Sequence, residues 1–532
     1  MTKRTRRIVI VGGGTAGWLS AAVIAAEHGV DVAPEAGQPR FSVTLVESPD
    51  VPTIGVGEGT WPSMRSTLQK IGISESDFIA QCNVGLKQGT LFRSWYRHGE
   101  NYVHPFTVPH GYNLMNLAPY WQVHHADQRF ADVVSPQASV VEQNLAPKQS
   151  STPDYAFVLN YGYHLDAGRF ADLLKSHCVK NLGVQHTSAN VTSVEADNGG
   201  DIAAIVTDSA GRIEGDLFID CSGSRSLLLA EHYGVPFVPA SDVLFNDSAL
   251  AMQVPYREPE SPINSCTLST AQAAGWIWDI GLSSRRGAGY VYSSAHQSED
   301  EAATLLYRYL EAEPELAAAA DLQYRKLSFK PGHRAEFWHR NCVAVGMASG
   351  FIEPLEASAL ALVELSAKMI AEQLPHDRAA MEISARRFNK KMLKRWDRII
   401  EFLKLHYVLS DRQEDYWQDN RAVSSLPESL AEALEFWRFQ SPWHDNFEPD
   451  DLFPSASYQY ILYGMHFETM PRVTRPRNHA ELDVRAEQLI RENAERVKTI
   501  ESALPTNREL LGKAVNFGFR DSQVPQPIRN TR

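Results

Sequence analysis

At 532 residues, with 43% hydrophobic and 22% charged side chains, the chain has ordinary globular composition and enough length for two or three lobes. Its formal net charge of -13 excludes a nucleic-acid binder of the usual kind, because phosphate backbones are held by clustered Lys and Arg. Cys82, Cys178, Cys221, Cys266 and Cys342 are scattered and form no CxxC pair, which argues against a disulfide framework or a Cys-rich zinc site and suits a reducing cytoplasm.

The first 26 residues imitate a secretory leader, basic to Arg7 and then largely apolar. Gly12, Gly13, Gly14 and Gly17 interrupt the apolar run at the spacing of a nucleotide-binding turn, so the segment reads as mature structure. Elsewhere no run of about 18 uninterrupted apolar residues predicts a membrane span. Residues 8–11 are a β-branched run suited to a buried parallel strand. A helix is expected over 16–27 and a second strand over 41–46, ending at Glu47, after an insertion at 31–40. A Gly-rich turn at 55–59 leads into a helix from Pro62, and 95–160 reads as aromatic loop. A helix over 165–181, alternating sheet over 185–207 with a turn at Asn198-Gly199-Gly200, and buried strands at 217–220 and 343–345 follow. Helical spacing then marks 357–374, 378–407 and 427–439, and Pro505 opens a polar tail expected to wrap or fray.

Gly12-Gly13-Gly14-Thr15-Ala16-Gly17 satisfies GxGxxG. The first glycine permits the tight turn, the second lets backbone approach a pyrophosphate, and the third lets helix pack on strand. The helix that follows offers unpaired N–H groups to the phosphates. Glu47, closing the second strand, is placed for a ribose hydroxyl. Two later strands also run into glycine turns, 217–223 through Asp220 and 345–350 through Gly346. Returning strands so far from the first unit suit an extended FAD better than a nicotinamide cofactor. The fold class expected is therefore α/β, a Rossmann-like FAD-binding module over 1–375 with an inserted sheet and aromatic loops. A helical substrate-binding subdomain over 376–504 and the tail over 505–532 complete the division.

These residues resemble the flavin-dependent, tryptophan-type halogenases from the first strand to about Gly464. The fingerprint is followed by Trp18, as in that family, and Gly275-Trp276-Ile277-Trp278-Asp279-Ile280 is similar to the WxWxIP signature, with Gly281 in place of proline. Lys87 stands eight residues before Trp95, at the position of the family's catalytic lysine. Phe351-Ile352-Glu353-Pro354-Leu355-Glu356 is similar to the segment carrying the catalytic glutamate, at Glu356. The resemblance implies that reduced FAD, oxygen and chloride or bromide yield hypohalous acid, which halogenates an electron-rich aromatic such as indole, tryptophan or an indole derivative. Trp276 and Trp278 would keep substrate off the flavin, Lys87 would hydrogen-bond or carry the halogen, and Glu356 would polarise it or take the ring proton. Gly346 and Leu355 join Gly12, Gly14, Thr15, Ala16, Gly17 and Glu47 as expected FAD contacts. Halide is expected at the backbone N–H groups of Ser358 and Ala359. The family commonly has Ser-Thr-Gly where this chain has Ala357-Ser358-Ala359, which favours bromide.

His104-Pro105-Phe106 resembles the family's aromatic sandwich for an indole, and Tyr458 is the expected contact from the C-terminal segment. Residues 457–466 keep aromatics without reproducing the family's polar clamp for a free amino acid. A separate flavin reductase is the implied partner, a homodimer is compatible with the sequence, and no nucleic acid, membrane or metal is expected. Two alternatives remain: a flavin-dependent aromatic hydroxylating monooxygenase, in which oxygen reaches the organic substrate, and a catalytically silent flavin-binding protein.

Overall fold

A computed structural model describes residues 4–30, 41–51, 57–316, 322–448, 451–470 and 479–519. The insertion expected at 31–40 and the first two residues of the Gly55 turn fall outside them. In chain order, β1 (Arg7–Val11), α1 (Thr15–His28) and β2 (Ser42–Glu47) form the βαβ unit predicted from sequence. Next come β3 (Gly57–Gly59), β4 (Gly85–Lys87), β5 (Gly89–Arg93), β6 (Asn101–Pro105), β7 (Gly162–Asp166), β8 (Gln185–Ser188) and β9 (Leu217–Asp220). The strands β10 (Ser248–Pro255), β11 (Thr267–Gln272), β12 (Gly275–Gly281), β13 (Arg285–Tyr292), β14 (Arg325–Ser328), β15 (Trp338–His339) and β16 (Cys342–Ala344) follow.

One sheet has the order β15-β16-β9-β1-β2-β8, parallel except at its β15 edge. Its centre explains the β-branched run. Ile8 and Ile10 point into the cluster that includes α1, whereas Val9 and Val11 point into a second cluster with Phe218 and Ala344 on the opposite face. A strand buried on both faces needs apolar residues throughout, and each contributes roughly 1.5–3 kcal/mol by leaving water. The second sheet, β14-β10-β13-β12-β11-β5-β6, is antiparallel apart from the β11–β5 pair. A small antiparallel sheet, β3-β7-β4, whose strands are interleaved in sequence with those of the other two, carries Lys87.

The helices that shape the site are α2 (Ser358–Glu372), α3 (Arg378–Val408) and α4 (Ser455–Gly464). Asp377 caps α3 by accepting from the N–H groups of Ala379 and Ala380, which fixes where that 31-residue helix begins. One expectation is refined and one corrected. The stretch 95–160 is largely loop, but it also holds β6 and three short helices, Ala118–His124, Phe130–Val134 and Gln137–Glu142, whose turns are too short to show helical periodicity. The tail does not fray at Pro505, since Asn507–Phe517 is a helix with a Thr506–Glu509 capping box and buried Leu510, Leu511 and Ala514.

Candidate active site

The glycine turn joins β1 to α1. Gly12 has φ +118°, and a Cβ there would lie 2.1 Å from the carbonyl oxygen of Cys221, so no other residue fits between β1 and the turn after β9. A Cβ on Gly17 would lie 1.9 Å from the Gly12 oxygen, which is the close helix–turn packing expected of the third glycine. A Cβ on Gly14, by contrast, would meet nothing within 4 Å. Gly14 is also the N-cap of α1 and supplies no side-chain cap, leaving the first-turn N–H groups, from Thr15 onward, facing an open concavity. On the far side Gly346, at φ +69°, brings the 346–348 turn against the Ala16 methyl, 2.7 Å from where its own Cβ would be. This cradle has the shape and the donors for a pyrophosphate. Glu47 closes it beside Gly13 and already accepts from Lys175 (2.8 Å) and His186 (2.9 Å) through Oε2. Asp220 turns elsewhere: its Oδ2 accepts from the N–H groups of Leu228 and Leu229, capping the segment after β9.

The second cluster gathers residues from five elements. Lys87, 1% exposed, ends β4 opposite Gly162. Its Nζ lies 5.4 Å from the Phe106 ring centroid and against Gly59, whose Cβ would come within 3.2 Å of it and within 3.1 Å of the Ala357 Cβ. Burial pulls the Lys87 ammonium down to about 8, against the opposing attraction of Glu356. His164, facing Gly59 and Gly85 from β7, gives its Nε2 to Thr267 (2.9 Å) and completes this wall.

Glu356 is 6% exposed, and Oε1 accepts from His104 Nδ1 at 2.9 Å and from His406 Nε2 at 3.3 Å. Burial pushes this carboxyl up, but the charge and hydrogen bonds of His104 and His406 outweigh it and hold the group well below the usual carboxylate range. His406 also donates from Nδ1 to the Phe402 carbonyl at 2.8 Å. Both its nitrogens therefore face oxygen atoms, which fixes the ring between α3 and the Glu356 turn. Glu356 and Ala357 sit consecutively in the left-handed region, at φ 60° and 55°. Two such residues cost about 1–3 kcal/mol each, a strain of the kind functional loops keep. Trp61 helps hold the turn by donating from Nε1 to the Glu356 carbonyl at 2.8 Å. Leu355 is fully buried beneath the turn. Immediately beyond, α2 starts at Ser358 with Ala357 as an N-cap that makes no side-chain hydrogen bond, so the Ser358 and Ala359 N–H groups begin an uncapped helix.

A cavity of about 190 Å³ opens onto Glu356, walled by Trp61, His104, Phe106, Phe453 and Tyr460; Lys87 does not line it but lies against the Phe106 ring of its wall. Tyr458 does not line it. That side chain packs instead on Phe402, Trp437 and Phe447 (5.0, 5.3 and 4.8 Å between ring centroids), while Tyr460, two residues on, faces the cavity and donates to the Thr107 carbonyl. A larger groove of about 390 Å³ beside Phe245, His296 and Asp419 touches none of these residues. On β12, Trp276, Trp278 and Ile280 share one face. Trp276 donates to Glu353 at 2.7 Å, Trp278 lies across Gly289, and Ile280 lies against Gly57. His406, Trp61, Tyr460 and Glu353 were not singled out from sequence. His406 is embedded in an apolar helical stretch, Phe402-Leu403-Lys404-Leu405, that gives no hint of a polar partner.

A dinucleotide cradle on a parallel sheet, together with an aromatic cavity that has buried Glu356 in its lining and buried Lys87 against its Phe106 wall, places the molecule among FAD-dependent oxidoreductases. A family model for tryptophan halogenase matches residues 7–481. The chain is 33% identical over 486 residues to the tryptophan 6-halogenase SttH of Streptomyces toxytricini, covering 87% of this chain and 90% of that protein. The crystal structure of a tryptophan halogenase from Shewanella frigidimarina NCIMB 400 superposes with a TM-score of 0.92 at 50% identity, covering 97% of this chain and 99% of that one. Xcc4156, a flavin-dependent halogenase from Xanthomonas campestris, gives 0.84 at 31% identity, covering 96% and 99%. The chain belongs to the tryptophan halogenase family. These matches do not favour the hydroxylating alternative.

Proposed function

We propose that this FADH2-dependent halogenase acts on an indole-type aromatic held in the cavity between Phe106, Trp61 and Tyr460. The observation that carries the reading is the buried pair of Lys87 and Glu356 beside an aromatic-walled cavity. Gly12, Gly14, Thr15, Ala16, Gly17, Gly346 and the backbone at Leu355 would hold FAD, with Glu47 offering its remaining oxygen to a ribose hydroxyl. Bound in its reduced form, FAD would supply two electrons to oxygen, and oxygen brought to the peroxide level would oxidise chloride or bromide to hypohalous acid, with water as the other product.

The protein's own groups do the rest. The Ser358 and Ala359 N–H groups hold halide at the uncapped start of α2. The Lys87 ammonium, desolvated and pointed at the cavity wall, hydrogen-bonds the hypohalous oxygen and polarises the halogen toward the ring. The aromatic face stacks on Phe106. Glu356 is kept ionised by His104 and His406, and takes the proton released from the ring carbon as the halogen adds. Trp276 and Trp278 separate the organic substrate from the flavin, so that halide takes the oxygen. Reduced FAD comes from a separate flavin reductase.

Among the described residues, Glu356 is the one Asp, Glu, Lys or Arg that lines the cavity, and the other polar groups there are His104, Thr107, Asn160, Ser457 and Tyr460, with no cation for a free carboxylate. This favours indole and larger indole derivatives over free tryptophan. Steady-state kinetics with indole, tryptophan and an N-acylated tryptophan amide at fixed reduced FAD test the choice. A kcat/KM for tryptophan above that of both neutral substrates would reverse it.

A further inference from the structure

Three residues before Glu356 lies a second buried glutamate. Glu353 is 2% exposed, and its Oε2 accepts from Trp276 Nε1 (2.7 Å), Asn246 Nδ2 (2.7 Å) and the Tyr407 hydroxyl (2.6 Å). Asn246 in turn donates to Tyr407 at 3.1 Å and accepts from Tyr416 at 3.0 Å. The other carboxyl oxygen, Oε1, is buried with no hydrogen-bond partner. Burial raises the pKa of this carboxyl, against the three donors that lower it. An apolar side chain of similar volume would fill the space without that desolvation cost. The polar group brings orientation: an indole has a single N–H donor, so one fixed acceptor selects one placement of the Trp276 ring beside its aromatic neighbour Trp95, which itself packs on Trp417.

The connectivity gives that orientation a consequence. Consecutive residues of α3, His406 and Tyr407, reach Glu356 and Glu353, which stand three apart on one loop. One helical turn therefore references both the separator on β12 and the carboxylate at the cavity. We propose that Glu353 is a positioning residue for halogenation: through Oε2 it fixes the Trp276 indole and ties that separator to the loop carrying Glu356. The proposal rests on the reading of Trp276 as a separator.

The test measures coupling, the share of consumed oxygen that appears as halogenated indole, with a hypohalite trap collecting what escapes. Trp276→Phe should lower coupling at least about threefold, and Glu353→Leu should do the same. Glu353→Leu added to Trp276→Phe should lower it less than about twofold further, because both act on one contact. Glu353→Gln keeps an accepting oxygen and should retain at least about half the wild-type coupling. Coupling preserved in Glu353→Leu but lost in Trp276→Phe overturns the role of Glu353 and leaves the separator standing. Coupling preserved in Trp276→Phe overturns the separator, and the proposal with it. Should Glu353→Leu fail to fold, Glu353→Asp, whose oxygens are withdrawn by one methylene, carries the same test with the same outcomes.

Discussion

Replacing Lys87 with methionine should stabilise the protein near neutral pH while abolishing halogenation. The side chain is 1% exposed, and burial moves its ammonium from the usual 10.5 to about 8. At 1.36 kcal/mol per unit, the folded protein bears a cost of about 3 kcal/mol below pH 8 for keeping this lysine charged. The unfolded chain binds more protons between the two values, so the cost shrinks as pH rises from about 8 toward 10.5. Methionine has nearly the same length and no charge to desolvate, and it removes the cost at every pH. Thermal unfolding of the two apo proteins from pH 7 to pH 10 reads the difference. The variant's advantage should fall from about 3 kcal/mol at pH 7 to about 1 kcal/mol at pH 10, with turnover lower by at least about a hundredfold. A variant less stable than wild type at pH 7, or an advantage that grows with pH, would refute the reasoning.

Gly14→Ala should melt with the wild-type apoprotein, because its Cβ meets nothing within 4 Å, yet bind FAD at least about tenfold more weakly when titrated by flavin fluorescence. Glu356→Gln should lower kcat by about 10²–10⁴ with FAD affinity unchanged, since the amide cannot accept the ring proton. Tyr460→Ala should raise KM for an indole substrate more than it lowers kcat, whereas Tyr458→Ala should act through stability, seen as a fall in melting temperature. At equal halide concentration, bromide should turn over faster than chloride, given Ala357 and Ala359 around the expected halide position; faster chlorination would contradict that assignment.

Much of this was legible in the sequence wherever one local rule sufficed. The βαβ unit could be placed to within a residue or two because a strand buried on both faces, a GxGxxG turn and an alanine-rich helix each leave a periodic or fixed-offset trace. Lys87 and Glu356 could be picked out only by resemblance, since neither a buried lysine nor a strained glutamate announces itself in composition. The partners that tune them come from distant segments: His406 lies 50 residues from Glu356, and His104 lies 252 away. No local pattern reports such long-range contacts. Tyr458 and Tyr460 show the same limit at short range. Both are aromatic, both are buried on α4, and only the packing of Phe402, Trp437 and Phe447 decides which of them faces the cavity.

The central claim is that the flavin end makes an oxidised halogen and the Lys87–Glu356 end delivers it to an aromatic ring. The mass of the product formed from indole, reduced FAD, oxygen and bromide tests this most directly. Replacement of one ring hydrogen by bromine, seen as the bromine isotope doublet and absent in Lys87→Met, is the predicted result. A product that gains oxygen instead, with Lys87→Met as active as wild type, would contradict the account.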